Sequence, residues 1–564
     1  MKSKQNKLLL YVLLLSTSFT ACNFLDYNEA TDYTKEYQFS VFVRTKAFLN
    51  NIYSHLPTGF NQVDGAMRET ATDNAEHVWD LSQIQKMNDG SWSAIAVVDD
   101  QWQNMYSGIR KVNLFLEEVE GQTFPETQYG LDYIEEMTQF AMYPYEARFL
   151  RAFFYFELAK RYGDIPLVLT VLTPEEANNV EPVKFDSIVR FIVEECDTVA
   201  KYLPASFADF STVRETGRAT RKAAMALKAR TLLYAASPLH NPENDREKWV
   251  EAAIASKEIF DQYRSEHTPL PAYTEIVNRL ASKELIFERR ESPSNAFEFA
   301  NTAIGFTGGS TGTCPTQNLV DAYEMRSSGL GIHETGSGYS AANPYLGRDP
   351  RLAMTILHNG AIWKNLTVET WYGGQNAPPK ANATKTGYYL KKYLIESVSL
   401  DPVTPTTGQH YWVLFRFSEV LLNYAEAMNE AFGPNTSGSA DDTMLDMPAR
   451  AAVNMVRART GVAMPNFPAN LSQDDFREKL RNERRVELAF EDHRFWDIRR
   501  WKIGDKTTEI RGMELTRTVT DGAETITYTP KVVEQRVWDD RMNFFPIPQT
   551  EYYINPKLGQ NQGW

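Results

Sequence analysis

Apolar residues recur at helical spacing over most of this 564-residue chain. The densest case is 145–168, YEARFLRAFFYFELAKRYGDIPLV. Phe149, Phe153 and Phe156 form one stripe, and Leu150, Phe154 and Leu158 form a second beside it. An apolar face that wide must be covered on more than one side, which makes this a buried scaffold helix. Gly163 supplies its stop and Pro166 forbids continuation. Glu157 and Arg161 stand four apart in the favourable order, worth a few tenths of a kcal/mol on an exposed helix. The same period predicts helices over 41–56, 98–120, 129–162, 183–203, 218–236, 249–263, 416–431, 447–460 and 477–494. The last has Ser472 and Asp475 as capping residues. Residues 218–236 carry Ala223, Ala226 and Leu227 on one face, which permits close packing against 249–263 as an antiparallel mate. That pair is of tetratricopeptide size, without a strict repeat.

The period fails in two places. Residues 69–93 carry Asn, Asp, Gly and two Trp with no sustained pattern, which is loop chemistry. Residues 264–411 are dense in Gly, Pro, Asn and Thr, yet hold Phe297, Phe299, Phe306, Tyr339, Tyr345, Trp363, Trp371 and Tyr372. So long an irregular stretch within a helical protein is either functional or disordered, and the aromatics favour function. The expected class is mainly α, with a loop-rich region packed on one side. The expected division is 41–263 helical, 264–411 loop-rich and ligand-binding, and 412–564 helical.

The N-terminus reads as an address. Lys2, Lys4 and Lys7 precede a short apolar run, 8–15, followed by small residues and Cys22. This fits a signal peptide over 1–21 with lipidation at Cys22, then a tether over 22–40. The other reading is an ordinary secretory signal. The apolar run is too short to span a bilayer, and no later stretch is long enough.

Composition narrows the chemistry. The formal charge of −14 disfavours nucleic acid, which is bound by clustered Lys and Arg. The three cysteines, Cys22, Cys196 and Cys314, show no metal-ligand spacing, and a 196–314 bridge is not favoured. No HExxH or nucleophile elbow occurs. A glycosidase needs only two facing carboxylates, which sequence cannot locate. Glu487 and Glu491 with Arg484 and Arg494 read more simply as an ion-pair network. No cofactor is indicated, although a structural calcium site of carbonyls and carboxylates in the middle loops stays open.

Several segments together carry a resemblance. They are Cys22-Asn23-Phe24-Leu25-Asp26, then 146–168, 223–238, 416–430, 449–461, 481–501 (RNERRVELAFEDHRFWDIRRW), 543–548 and 561–564. In that order they resemble the SusD/RagB family of outer-membrane glycan-binding lipoproteins of Bacteroidetes. The resemblance implies a bundle of about four tetratricopeptide-like helix pairs. It implies a non-catalytic role, capturing oligosaccharide or polysaccharide at the cell exterior. It also implies a TonB-dependent (SusC-like) transporter as partner. Two other readings stay open: a same-fold binder of peptide or another nutrient, and a glycoside hydrolase.

The family's sites vary in sequence, so candidate ligand residues come from chemistry. Sugar rings offer apolar C–H faces for flat aromatics, and their hydroxyls need polar side chains beside those faces. The first loop offers Trp79 and Trp92 with Asp73, Asn74, Asp80 and Asn88. The middle region offers Tyr339, Tyr345, Trp363, Trp371 and Tyr372. The expected platform joins one aromatic of the first loop to one or two of the second.

Overall fold

The computed structural model describes residues 34–207, 216–278, 282–438 and 445–564. Cys22 and most of the expected tether lie outside the described residues. The main helices are α1 (Phe42–Tyr53), α2 (Trp102–Val119), α3 (Tyr143–Tyr162), α4 (Phe185–Val199), α5 (Arg221–Ala236), α6 (Arg246–His267), α7 (Phe417–Phe432), α8 (Ala449–Arg457), α9 (Gln473–Glu487) and α10 (Arg494–Arg500). Neighbours in sequence pack as antiparallel pairs: α2 on α3, α3 on α4, α4 on α5, α5 on α6. Then α6 meets α7 across the loop-rich region, and α7 meets α8 and α9. One hydrophobic core runs from Phe39 to Ile547 through all three expected regions. No helix among the described residues is long and apolar enough to cross a membrane.

The central helix is α3, with 17 of its 20 residues buried. It ends where Gly163 takes φ 73°, in the left-handed region that glycine tolerates. A Cβ there would sit 3.2 Å from the Phe544 ring. The expected single helix over 129–162 is instead two, Tyr133–Phe140 and α3. Pro144 in the first turn of α3 explains the break, because proline suits a helix start and disrupts an interior. The expected helix over 477–494 is likewise split. It stops at Glu487, and Phe490 and Asp492 adopt positive φ before α10 begins.

Charges are buried along with this core. Glu487 accepts from Arg416 and Arg459 on one oxygen, both at 2.7 Å, and from Arg351 on the other at 2.8 Å. Glu491 accepts from Lys392 and from Arg416 Nε, both at 2.6 Å. Glu284 takes Arg416 and Arg459. Each of these side chains is at most 1 % exposed. Arg230 grips Glu419 of α7 with both forks at 2.6 Å, and Arg500 of α10 grips Glu426 at 2.6 and 2.7 Å. Glu157 and Arg161 are not a surface pair; they are buried together with Lys160 and Asp99. The network suspected around Glu487 and Glu491 therefore exists, but with other partners. Arg484 binds Asp497, and Arg494 binds Asp73.

Removing one partner of such a cluster strands the others in a dry interior. Arg416→Ala should lower unfolding free energy by about 3–5 kcal/mol, read from urea midpoints. A loss under about 1 kcal/mol would place the cluster in contact with water. Acid should act the same way. Burial alone would raise the Glu157, Glu426 and Asp73 carboxyls. Lys160 and Arg161, Arg500, and Arg485 and Arg494 more than reverse this and hold each near about 2. Their folded-state values lie below the unfolded ones. Their stabilisation is therefore complete above about pH 4.5 and lost as pH falls toward 2. Unfolding midpoints measured across pH should drop most steeply in that window. A midpoint unchanged between pH 5 and pH 2.5 would contradict this.

Candidate functional site

The first loop is tied to the rest of the molecule by its polar residues. Asp73 receives both forks of Arg494, at 2.8 and 2.9 Å, and Arg485 at 2.9 Å. Asn74 accepts from Arg485 at 2.6 Å and donates to Glu69 at 2.6 Å. Asn88 donates to Gln85 at 2.8 Å. All three are buried, so Asp73 and Asn74 are corrected from ligand contacts to braces between the loop and α9 and α10. Burial pushes the Glu69 carboxyl up to about 7, despite its bond from Asn74.

Trp92 is also corrected. It is 2 % exposed and meets Phe545 and Trp564 edge-on, with centroids at 5.1 and 4.5 Å. Trp363 is 3 % exposed and leaves the surface set for the same reason. Trp79 stays half-buried, with its indole N–H donating to the Ser310 carbonyl at 3.1 Å. Asp80 beside it is exposed and holds the Lys385 ammonium at 2.5 Å. Strand β1 (Ala75–His77) pairs antiparallel with β3 (Thr313–Pro315), which joins the first loop directly to the middle region.

The remaining middle-region aromatics gather against an element the helical pattern gave no hint of. Strands β5 (Glu509–Thr520) and β6 (Ala523–Gln535) form a long antiparallel hairpin. Its outer half is exposed, and one face turns toward the loops with Leu515, Arg517, Ile526 and Tyr528. The Tyr372 amide donates to the Leu515 carbonyl at 3.1 Å. The Tyr372 side chain stays 69 % exposed. Trp371 is half-buried, and the Arg517 guanidinium lies over its ring at 4.8 Å. Glu524 across the hairpin pairs with Arg517 and raises its pKa. Tyr345 meets Tyr528 edge-on at 5.7 Å and stacks on His358 at 3.9 Å. Tyr339 is half-buried, with Arg348 over its ring at 5.5 Å.

The loop that presents Trp371 and Tyr372 is closed on itself. Glu369 and Asn376 exchange hydrogen bonds at 3.0 Å, and the Asn376 side chain donates to the Ile304 carbonyl at 2.6 Å. Ile304 begins the Gly-rich 304–312 turn, whose Ser310 holds Trp79. A chain of contacts thus runs from Trp79 through the 304–312 turn to the loop that presents Trp371 and Tyr372. The helical pattern points to none of Arg517, Tyr528 and Lys385, which lie against Trp371, Tyr345 and Asp80 respectively. The signal for the hairpin in the sequence is the Asp521-Gly522 dipeptide, a two-residue hairpin turn pattern.

Other chemistry finds little to work with. The Glu487 and Glu491 carboxylates are saturated by arginine and lysine and sealed from solvent. Cys196 and Cys314 are free and buried, and burial raises both thiols. Among the described residues no cluster of three or more His, Cys, Asp or Glu is placed to hold a metal ion.

Comparison with known proteins agrees with this architecture. The sequence model of the SusD family matches residues 283–564. A second, described as starch-binding and associating with the outer membrane, matches residues 23–233. SusD-like protein P25 of Formosa agariphila is 22 % identical, covering 98 % of both chains. A SusD-like protein of Bacteroides fragilis has a solved structure that is 28 % identical, with a TM-score of 0.74 over 94 % of this chain and 99 % of that one. A second from that organism, described as a SusD-like carbohydrate-binding protein, is 26 % identical with a TM-score of 0.71, over 92 % and 99 %. With half of its length matched by the family's own model and the fold shared nearly end to end, the chain belongs to the SusD family.

Proposed function

We propose that this protein captures glycan at the outer-membrane surface and passes it to a TonB-dependent transporter, without cleaving it. The observation that carries the reading is the half-buried Trp371 beside the exposed Tyr372, on a self-closed loop backed by the hairpin and flanked by Arg517. A rigid aromatic ledge binds the C–H faces of sugar rings at low entropic cost. Arg517, Asp80 and Lys385 supply the polar contacts that fix hydroxyl orientation. The non-catalytic part of the reading is supported by Glu487 and Glu491, which serve as structural partners of arginine and lysine. Cys22 would carry the lipid that holds the body at the membrane, facing outward. The carbohydrate-binding description of the B. fragilis relative supports this reading.

Calorimetry of the purified protein against a panel of starch, laminarin, fructan, mucin glycans and plant polysaccharides tests it, with reducing ends followed in the same samples. Binding without release is expected. Trp371→Ala and Tyr372→Ala should each weaken the bound polysaccharide by about 1–3 kcal/mol, which is about 5- to 150-fold in Kd. Trp79→Ala should weaken it less. Release of reducing ends, or full binding by the Trp371→Ala, Tyr372→Ala double variant, would overturn the reading.

A further inference from the structure

Cations and carboxylates stand in balance around the ledge. The Arg517 guanidinium lies over Trp371 and is hydrogen-bonded to Glu524 across the hairpin. Glu524 is the main cause of the raised Arg517 pKa, and Glu369 of the loop adds to it, so a second carboxylate lies within electrostatic reach of the same cation. Glu369 is half-buried, and its carboxylate accepts from the Gln375 amide at 3.1 Å. Lys380, exposed just past the loop, turns its ammonium onto the Gln375 carbonyl at 2.6 Å. Lys385 is bound to Asp80, next to Trp79, and also to Glu76 at 3.3 Å. Arg517 and Lys385 both hold carboxylates already, so neither is the free cation that a polyanion seeks.

The Arg517 and Glu524 side chains stay accessible to a ligand, at 33 % and 58 % exposed. An exposed pair of this kind is itself worth little. What selects is therefore the sign of the charge around the rings, not the strength of the pair. A neutral sugar brings hydroxyls, each both donor and acceptor. One hydroxyl can donate to Glu524 while its neighbour accepts from Arg517, and the ion pair stays intact. A uronate or a sulfate ester must compete with Glu524 for the guanidinium. Winning that contact leaves it beside Glu524 and Glu369, two like charges. At longer range the chain's formal charge of −14 repels a polyanion before contact.

We propose that the ledge selects neutral polysaccharides, whose units carry hydroxyls and no carboxylate or sulfate, and that Glu369 and Glu524 set this selection. The proposal rests on the glycan-capture reading and names the class of glycan.

Calorimetry of the purified protein against a neutral set (starch, laminarin, levan, galactomannan) and an anionic set (alginate, homogalacturonan, carrageenan), at low and high sodium chloride, tests it. At least one neutral polymer should bind, with a Kd that changes less than about twofold with salt. No anionic polymer should bind at low salt. The Glu369→Gln, Glu524→Gln double variant should gain affinity for an anionic polymer, narrowing the preference for neutral glycan by at least about tenfold at low salt. Both substitutions keep the shape of the side chain, so the fold should be retained, which thermal melting checks. An anionic polymer that binds the native protein, and binds it more tightly at low salt, would overturn the proposal and leave glycan capture standing. An unchanged preference in the double variant would overturn the role of the two carboxylates. Binding of no polymer from either set would instead be the failure of the glycan reading, and of this proposal with it.

Discussion

The fold depends on charges held where water cannot reach them. Arg416 is the hub: a single guanidinium joins Glu284 to Glu487 and Glu491, two carboxylate-bearing segments about 200 residues apart. Each carboxylate shares itself between at least two cations. Such a cluster is not a large net source of stability, because desolvation offsets much of the attraction. Its consequence is geometric. Bidentate contacts fix direction as well as distance, so α9 can seat against β4 (Tyr411–Arg416) and the 284 segment in one way only. Arg500 with Glu426 and Arg230 with Glu419 extend the same constraint to α7, α10 and α5.

That rigidity gives the irregular region a surface to be shaped against. Short strands and turns carry few internal bonds and would wander if left to themselves. Here β2 (Leu285–Arg290) pairs with β4 at the ion cluster, and Asp73 locks the first loop onto α10. The loop bearing Trp371 and Tyr372 is braced by its own Glu369–Asn376 bonds and by the hairpin. Flat aromatic recognition needs this, because a stacking ring that must first be ordered loses part of what it gains. Binding side chains on loops positioned by a rigid scaffold is a common division of labour.

The helices were legible because their apolar period is written locally. Ser472 capping Asp475 and Gly163 ending α3 could be read from a few residues each. The aromatics were not legible one by one. Whether Trp92 is exposed depends on Phe545 and Trp564, more than 450 residues later. Asp73 looked like a sugar ligand because nothing near it in sequence discloses Arg494, 421 residues on. The hairpin escaped notice because its strands are rich in threonine and carry Arg517 on the inner face. They offer little apolar alternation, although the Asp521-Gly522 turn was plain. Trp363, a candidate for the platform by its chemistry, is buried in the core for the same reason as Trp92.

The central claim is that glycan meets this protein on the ledge between the 369–378 loop and the hairpin. Hydrogen exchange read by mass spectrometry, with and without the polysaccharide that calorimetry identifies, tests it most directly. The account predicts slowed exchange in 369–378 and 514–519, with α2 to α6 unchanged. Protection confined to the helical pairs, with the ledge unaffected, would contradict it.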